Sequence, residues 1–242
     1  LLGVSMTGIC DNALINNPDD PELPAKLERL KYVALDTNRD FALALGINPS
    51  VAVTAVKPEG TVSQLCSTAS GIHPQHSSYF IRRVRSDNKD PLTSFLKDSG
   101  FPSEPCVMKP DSTTVFSFPM KVEKGAVLRE DLSAIEHLRL WLIFQRHWCE
   151  HKPSITVSVR DSEWAQVTEW MWKNKDSYAA ISLLPLSNHT YHQAPFQDIG
   201  EADYNERMDQ LVNVDIDMIR EDQDYTNLSG EVACSNGACE VR

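Results

Sequence analysis

SITVSVRDSEWAQVTEWMWKNKDSYAAISLLP, running from Ser154 to Pro185, is the stretch that decides the fold class. Ile155 to Val159 is rich in β-branched residues, Ser162 to Asn174 repeats its apolar positions at helical spacing, and Tyr178 to Leu184 reads as a second strand. Strand, helix of about a dozen residues and strand is a parallel βαβ pattern, because parallel neighbours need a crossover of that length. Asp161 or Ser162 is the expected cap of the helix. The fold expected is α/β with a mainly parallel sheet, and the pattern suits an open sheet and a barrel equally.

Working outward, Asp131 to Glu150 predicts a helix with Leu132, Ile135, Leu138, Leu142 and Trp148 near one face. Thr113 to Phe118 and Tyr79 to Val84 read as strands, and residues 86–112, rich in Pro, Ser and Asp, as surface excursions. Glu22 to Leu45 predicts a helix that turns Leu27, Leu30, Ala34, Phe41 and Leu45 inward and stops at Gly46. Val51 to Val56 (VAVTAV) reads as a short strand running into Lys57-Pro58-Glu59-Gly60-Thr61. Glu201 to Ile219 predicts a last helix. Beyond Arg220 the chain is polar and Gly-containing, a mobile tail by expectation. The organisation read from this is a folded body over residues 1–220 and a tail over 221–242. Trp141, Trp148, Trp164, Trp170 and Trp172 read as core or interface residues.

A hydrophobic share of 41% with 24% charge in 242 residues is enough for a packed core. The net charge of -11 argues against a duplex-binding surface, which needs a basic face. No apolar run approaches the roughly 20 residues that span a bilayer. The expectation is a soluble cytoplasmic enzyme binding neither nucleic acid nor membrane. The first residue is Leu1, not Met, so part of a longer protein is expected. A local basic cluster, Arg82, Arg83 and Arg85, has two readings: a solvated strand edge or an anion-facing group.

Four of the six cysteines, Cys10, Cys66, Cys106 and Cys149, are scattered singly and read as buried free thiols. Cys234 and Cys239 are a close pair across an Asn-Gly turn signal, which can bring two thiols within disulfide distance. A disulfide there would close a tiny loop, and a zinc site would need about four ligands. Thiol–disulfide exchange is the favoured chemistry, with incidental cysteines or a chance metal site as the alternative. A flexible stretch of about 20 residues reaches roughly 25 Å, enough for a carrier.

The loop from Pro58 to Ser63 ends a strand before a short helix start. Its backbone N–H groups, with the Thr61 and Ser63 hydroxyls, suit an anion, and Gly60 permits close approach. An ordinary strand-to-helix turn fits the same residues, since the spaced Gly-Lys-Ser/Thr of a nucleotide-binding loop is missing. His73, His147 and His151 read as packing or surface histidines.

Taken together, GVSMTGI (Gly3 to Ile9), VTAVKPEGTVSQL (Val53 to Leu65), SGIHP (Ser70 to Pro74), YFIRRVR (Tyr79 to Arg85), HWCEHKPSITVSV (His147 to Val159), SLLP (Ser182 to Pro185) and QAP (Gln193 to Pro195) resemble one family in order. It is the monomeric adenosylcobalamin-dependent ribonucleoside-triphosphate reductases. The resemblance implies a ten-stranded α/β barrel, of which this chain supplies the later strands and a flexible carboxy-terminal tail. It implies a cysteinyl radical, generated through adenosylcobalamin, that abstracts the substrate's 3′ hydrogen while two barrel cysteines reduce the 2′ position and become a disulfide. Cys234 and Cys239 would re-reduce that disulfide and be recharged by a thioredoxin-like reductant. Pro58, Glu59, Gly60, Thr61, Val62 and Ser63 would hold the phosphates of a ribonucleoside triphosphate. A deoxynucleotide effector and a monomeric state are also implied; no metal-ligand residue is.

Two departures stand out. The family's Asn-Pro-Cys-Gly-Glu-like finger-loop motif is absent, so the radical cysteine is not in this chain and the chain by itself is expected to be inactive. Glu59 stands where a smaller Ser is common. A diiron-dependent reductase large subunit shares the barrel and a cysteine tail; the HWCEHKPS stretch favours the cobalamin type. A non-catalytic module that docks a thioredoxin-like partner is the alternative outside enzymes.

Overall fold

The computed structural model describes residues 3–186 and 191–220. In chain order the elements are β1 (Val4–Ser5), α1 (Leu23–Leu45), β2 (Thr54–Ala55), α2 (Val62–Leu65), β3 (Tyr79–Asp87), α3 (Pro91–Asp98), β4 (Ser103–Pro105), β5 (Thr113–Lys121), α4 (Ala134–His147), β6 (Thr156–Val159), α5 (Trp164–Lys173), β7 (Ser182–Pro185), β8 (Phe196–Asp198) and α6 (Glu201–Gln210). They sort into two compact units, one from residues 1–75 and 124–187, the other from 76–123 and 188–242.

The first unit holds the βαβ pattern. β6 and β7 pair in parallel, Val157 opposite Leu183 and Val159 opposite Pro185, with α5 as the crossover. Neither Asp161 nor Ser162 caps α5, which is preceded by Glu163; a short 3-10 turn over Asp161–Glu163 leads into it, with Arg160 N donating to Glu163 Oε2 at 2.9 Å. The second strand is shorter than expected and begins at Ser182, because Tyr178 turns back to donate its hydroxyl to Met171 O on α5 at 3.1 Å. α4 starts at Ala134, where Ser133 and Glu136 form a capping box, a device that contributes about 1 kcal/mol. Trp141, Phe144, Leu138 and Leu140 of α4 are fully buried with Val157, Val159, Ile72 and Leu27. Trp148 is buried too, Trp164 and Trp170 pack on the core's margin, and Trp172 is exposed under Lys175 Nζ at 4.7 Å.

α1 ends as its Gly46 predicts. The residue sits at φ 66°, its N–H reaches Leu43 O at 3.2 Å, and Ile47 N reaches Ala42 O at 3.0 Å, closing the helix with a left-handed cap. Less of its apolar face is buried than expected. Leu23, Leu27 and Ala42 are buried, whereas Phe41 and Leu45 stand 66% and 68% exposed and Leu30 is exposed as well. Phe41 and Leu45 lie five full turns beyond Leu23 and Leu27 on the same side of the helix, so the core covers that side at the amino-terminal end and leaves it uncovered near Gly46.

The second unit is antiparallel, which corrects the expectation of a mainly parallel sheet. Its order is β4-β5-β3-β8, and β3 pairs with β5 over nine residues, from Tyr79 opposite Lys121 to Asp87 opposite Thr113. Residues 88–112 are more than surface excursions: they form α3, capped by Asp90 through Leu92 N, and the edge strand β4. The last helix stops at Gln210, nine residues short of the expected end. No helix of the described residues is long and apolar enough to cross a membrane.

Candidate substrate loop and its supports

The stretch expected to be a strand over Val51 to Val56 pairs regularly only at Thr54–Ala55, against Val4–Ser5 of β1. The reason is a carboxylate. Val53 N and Thr54 N both donate to Glu150 Oε2, at 2.7 and 3.0 Å. Successive N–H groups of a regular strand point to opposite sides. Two that converge on one oxygen mean that the backbone bends round it, at the point where pairing with β1 begins.

Glu150 belongs to the segment Trp148–Ser154, which flanks β2 on the side away from β1. Glu150 N donates to Thr54 O at 2.9 Å, and Thr54 Oγ1 donates to Trp148 O at 2.6 Å. Trp148 Nε1 donates to Ala55 O at 2.8 Å, and Ser154 N to Val56 O at 3.2 Å. Burial would raise the Glu150 carboxyl, but the bonds from Thr54 and Val53, with Lys31 nearby, bring it below its ordinary value. It is therefore a carboxylate at neutral pH.

The loop Pro58–Ser63 hangs directly from this strand. Lys57 N donates to Ser5 Oγ at 3.0 Å, and Gly60 N turns back to Pro58 O at 2.8 Å. Ser63 N and Leu65 N then reach Glu59 O and Thr61 O at 3.2 Å each, starting α2. Pro58, Thr61 and Val62 are exposed, Glu59 and Gly60 half-buried, and Ser63 fully buried. The chain thus offers the Thr61 hydroxyl outward and keeps the Ser63 hydroxyl inside, where it accepts from Gln64 Nε2 at 3.4 Å. A floor lies beneath. Gly71, at φ 55°, leaves so little room that an added Cβ would stand 2.6 Å from Lys57 O.

Four of the histidines sit within the fold as packing or surface residues. His73 donates one ring nitrogen to Ser70 O at 2.9 Å and accepts Thr156 N–H on the other at 3.0 Å, which defines its neutral tautomer. His137 Nε2 donates to Ile72 O at 3.0 Å in the core. Burial lowers both rings' pKa, that of His137 to about 3. His147 Nδ1 meets Glu28 Oε1 at 2.7 Å, and His151 is exposed. Among the described residues, no group of three or more His, Cys, Asp and Glu is arranged to hold a metal ion.

Of the scattered cysteines, Cys10 and Cys149 are buried and their thiols are pushed up to about 12, chiefly by burial. Cys66 is exposed, contrary to the expectation of a buried thiol. Cys106 is buried; burial would raise it, but the Lys109 and Met108 backbone N–H groups and the Arg85 guanidinium bring it below its ordinary value. The arginine cluster is no strand edge, since β3 lies between β5 and β8. Arg83 donates to Ala194 O and Gln197 Oε1, and Arg85 to Gln193 O, so these two cations tie the Gln193–Gln197 stretch to the sheet. Cys234 and Cys239 lie outside the described residues. Glu150 and Gly71 stood within the quoted motifs without an assigned role. A lone Glu in HWCEHKPS carries no periodicity or spacing signal that would single it out.

No protein-family profile matches the chain. It is 29% identical over 231 residues to an adenosylcobalamin-dependent ribonucleoside-triphosphate reductase of Lactobacillus gasseri, covering 92% of the chain and 31% of that protein. It is 27% identical over 271 aligned positions to the protein of the same name from Lactobacillus leichmannii, covering all of the chain and 36% of the relative. A crystal structure of a B12-dependent class II ribonucleotide reductase superposes with a TM-score of 0.71 at 26% identity, over 87% of this chain and 33% of that one. The chain spans about a third of the length of the relatives it matches.

Proposed function

Proceeding from the chain's homology with the adenosylcobalamin-dependent ribonucleoside-triphosphate reductases, we propose that it is the carboxy-terminal part of a ribonucleotide reductase. The parent enzyme converts ribonucleoside triphosphates to 2′-deoxyribonucleoside triphosphates by thiyl-radical chemistry in the cytoplasm, as a monomer open to a deoxynucleotide effector. The observation that carries the reading is similarity to one named activity over 92% of the chain, joined to a shared α/β fold.

Adenosylcobalamin, when bound, supplies the radical by homolysis of its cobalt–carbon bond. The buried imidazoles of this chain do not form a seat for cobalt: both nitrogens of His73 are taken, and His137 is enclosed in the core. The cofactor is accordingly assigned to the enzyme as a whole, and no step is routed through it here. The role given to this chain's own residues is binding and re-reduction. Pro58, Glu59, Gly60, Thr61, Val62 and Ser63 hold the substrate phosphates, with the exposed Thr61 hydroxyl as a donor. Cys234 and Cys239 pass two electrons to the barrel disulfide: one thiolate attacks it, the second resolves the mixed disulfide, and a thioredoxin-like protein reduces the disulfide left on the tail.

Product per enzyme in the full-length protein tests this reading. Cys234→Ser and Cys239→Ser leave the barrel cysteines reduced, so one turnover remains. A single tail thiol cannot resolve the mixed disulfide, so thioredoxin then supports about one product per enzyme. Dithiothreitol, which diffuses to the barrel, restores multiple turnover at least in part. Normal thioredoxin-driven turnover in both variants would remove the shuttle from the account. Loss of the first turnover would move these cysteines into the chemical step.

A further inference from the structure

Glu150 lies outside the loop read as phosphate-binding, yet it governs the strand from which that loop hangs. Two N–H donors from successive residues meet one carboxylate oxygen, Val53 N at 2.7 Å and Thr54 N at 3.0 Å, with Thr54 Oγ1 3.2 Å from it. The Thr54 hydroxyl gives its proton to the closer Trp148 O. Around this oxygen the Trp148–Ser154 segment adds the bonds to Thr54 O, Ala55 O and Val56 O, so every residue from Val53 to Val56 is tied to it. The opposite side of the strand is held by Val4 N on Val53 O at 2.7 Å and by the Lys57 N to Ser5 Oγ bond. Only three residues, Ala55, Val56 and Lys57, lie between Thr54 and Pro58, too short an extended backbone for a shift at one end to be absorbed before the other.

We propose that Glu150 is a positioning residue for the substrate: its carboxylate sets the bend at Val53–Thr54, and through β2 it aims the Pro58–Ser63 loop at the phosphates. The proposal rests on the reading of that loop as the phosphate site. The carboxylate suits the task because an ionised acceptor binds several N–H and O–H donors at once and more strongly than a neutral one. Glu150 does not touch substrate in this account. Its removal therefore weakens the ground state and the transition state alike, since both carry the same phosphates.

The test uses the full-length enzyme, with KM for the ribonucleoside triphosphate and kcat measured well below the melting temperature of each variant. Glu150→Ala removes every acceptor and is expected to raise KM about tenfold with kcat within about twofold, the size of a lost charge-assisted hydrogen bond. Glu150→Gln keeps one carbonyl oxygen for Val53 and Thr54 and guards against a folding failure of the first variant. Its expected KM lies between wild type and Glu150→Ala, at about threefold. A merely structural glutamate would lower the melting temperature and leave KM unchanged, and that result overturns the proposal. Gly60→Val, run alongside, separates the two ideas. If Gly60→Val raises KM while both Glu150 variants leave it alone, the loop reading stands and the role of Glu150 is refuted. If a folded Gly60→Val enzyme keeps its KM and kcat, the loop reading itself fails, and the proposal falls with it.

Discussion

Gly71 shows how much a single atom can decide. At φ 55° it occupies a backbone region that side chains disfavour, and its missing Cβ leaves space for Lys57 O, the carbonyl just before Pro58. Its N–H is bonded to Thr7 Oγ1 at 2.9 Å and its carbonyl receives Ile9 N at 3.1 Å, so the backbone cannot swing away cheaply. Gly71→Ala is expected to cost about 1–3 kcal/mol through strain and the clash with Lys57 O. Urea denaturation of the 242-residue chain reads this as a lower midpoint at unchanged slope. An unshifted midpoint would mean that Lys57 and the loop beyond it yield freely. The SGIHP stretch made Gly71 visible in the sequence, but not the carbonyl it accommodates, which belongs to a residue fourteen positions earlier in the chain.

Between elements, the two buried histidines join the Ser70–Pro74 turn to α4 and β6; His73 must be neutral to accept its bond, and burial disfavours the charged form of His137. His137 bonds the Ile72 carbonyl from α4, and His73 accepts from Thr156 at the start of β6. Burial is the first cause of the low pKa of His137, and the nearby His73 ring adds to it. A histidine with a depressed folded pKa is protonated first in the unfolded chain. Stability is then full above the unfolded value of about 6.5 and declines as pH falls towards the folded one. For His137, whose folded value is about 3, the loss between pH 7.5 and 5.5 is on the order of 1 kcal/mol, and His73 adds in the same direction. Denaturation midpoints across that window should fall with pH, and His137→Gln, which keeps a donor but cannot titrate, should flatten the slope. A profile that is level from pH 7.5 to 5.5 in the parent chain would contradict this account.

For the molecule as a whole, the decisive feature lies in the sequence. The chain matches about a third of its relatives' length and contains no Asn-Pro-Cys-Gly-Glu-like motif. Residues 1–242 alone, given adenosylcobalamin and thioredoxin, are therefore expected to reduce no nucleotide; measurable deoxynucleotide formation by this polypeptide would overturn the assignment of the radical cysteine to another part of the enzyme. By itself the sequence determined the α/β class, the βαβ order around α5, the long helices with the Gly46 end of α1, and the family resemblance. These are written in local periodicity, capping chemistry and short ordered motifs, which need no partner to be read. Only the tertiary structure decided how much of the apolar side of α1 is buried, that β3 and β5 run antiparallel at the centre of their sheet, and that Glu150 and Gly71 shape the loop. Each of those depends on which groups meet across long separations: Glu150 and Thr54 are 96 residues apart, and nothing in the neighbourhood of either names the other.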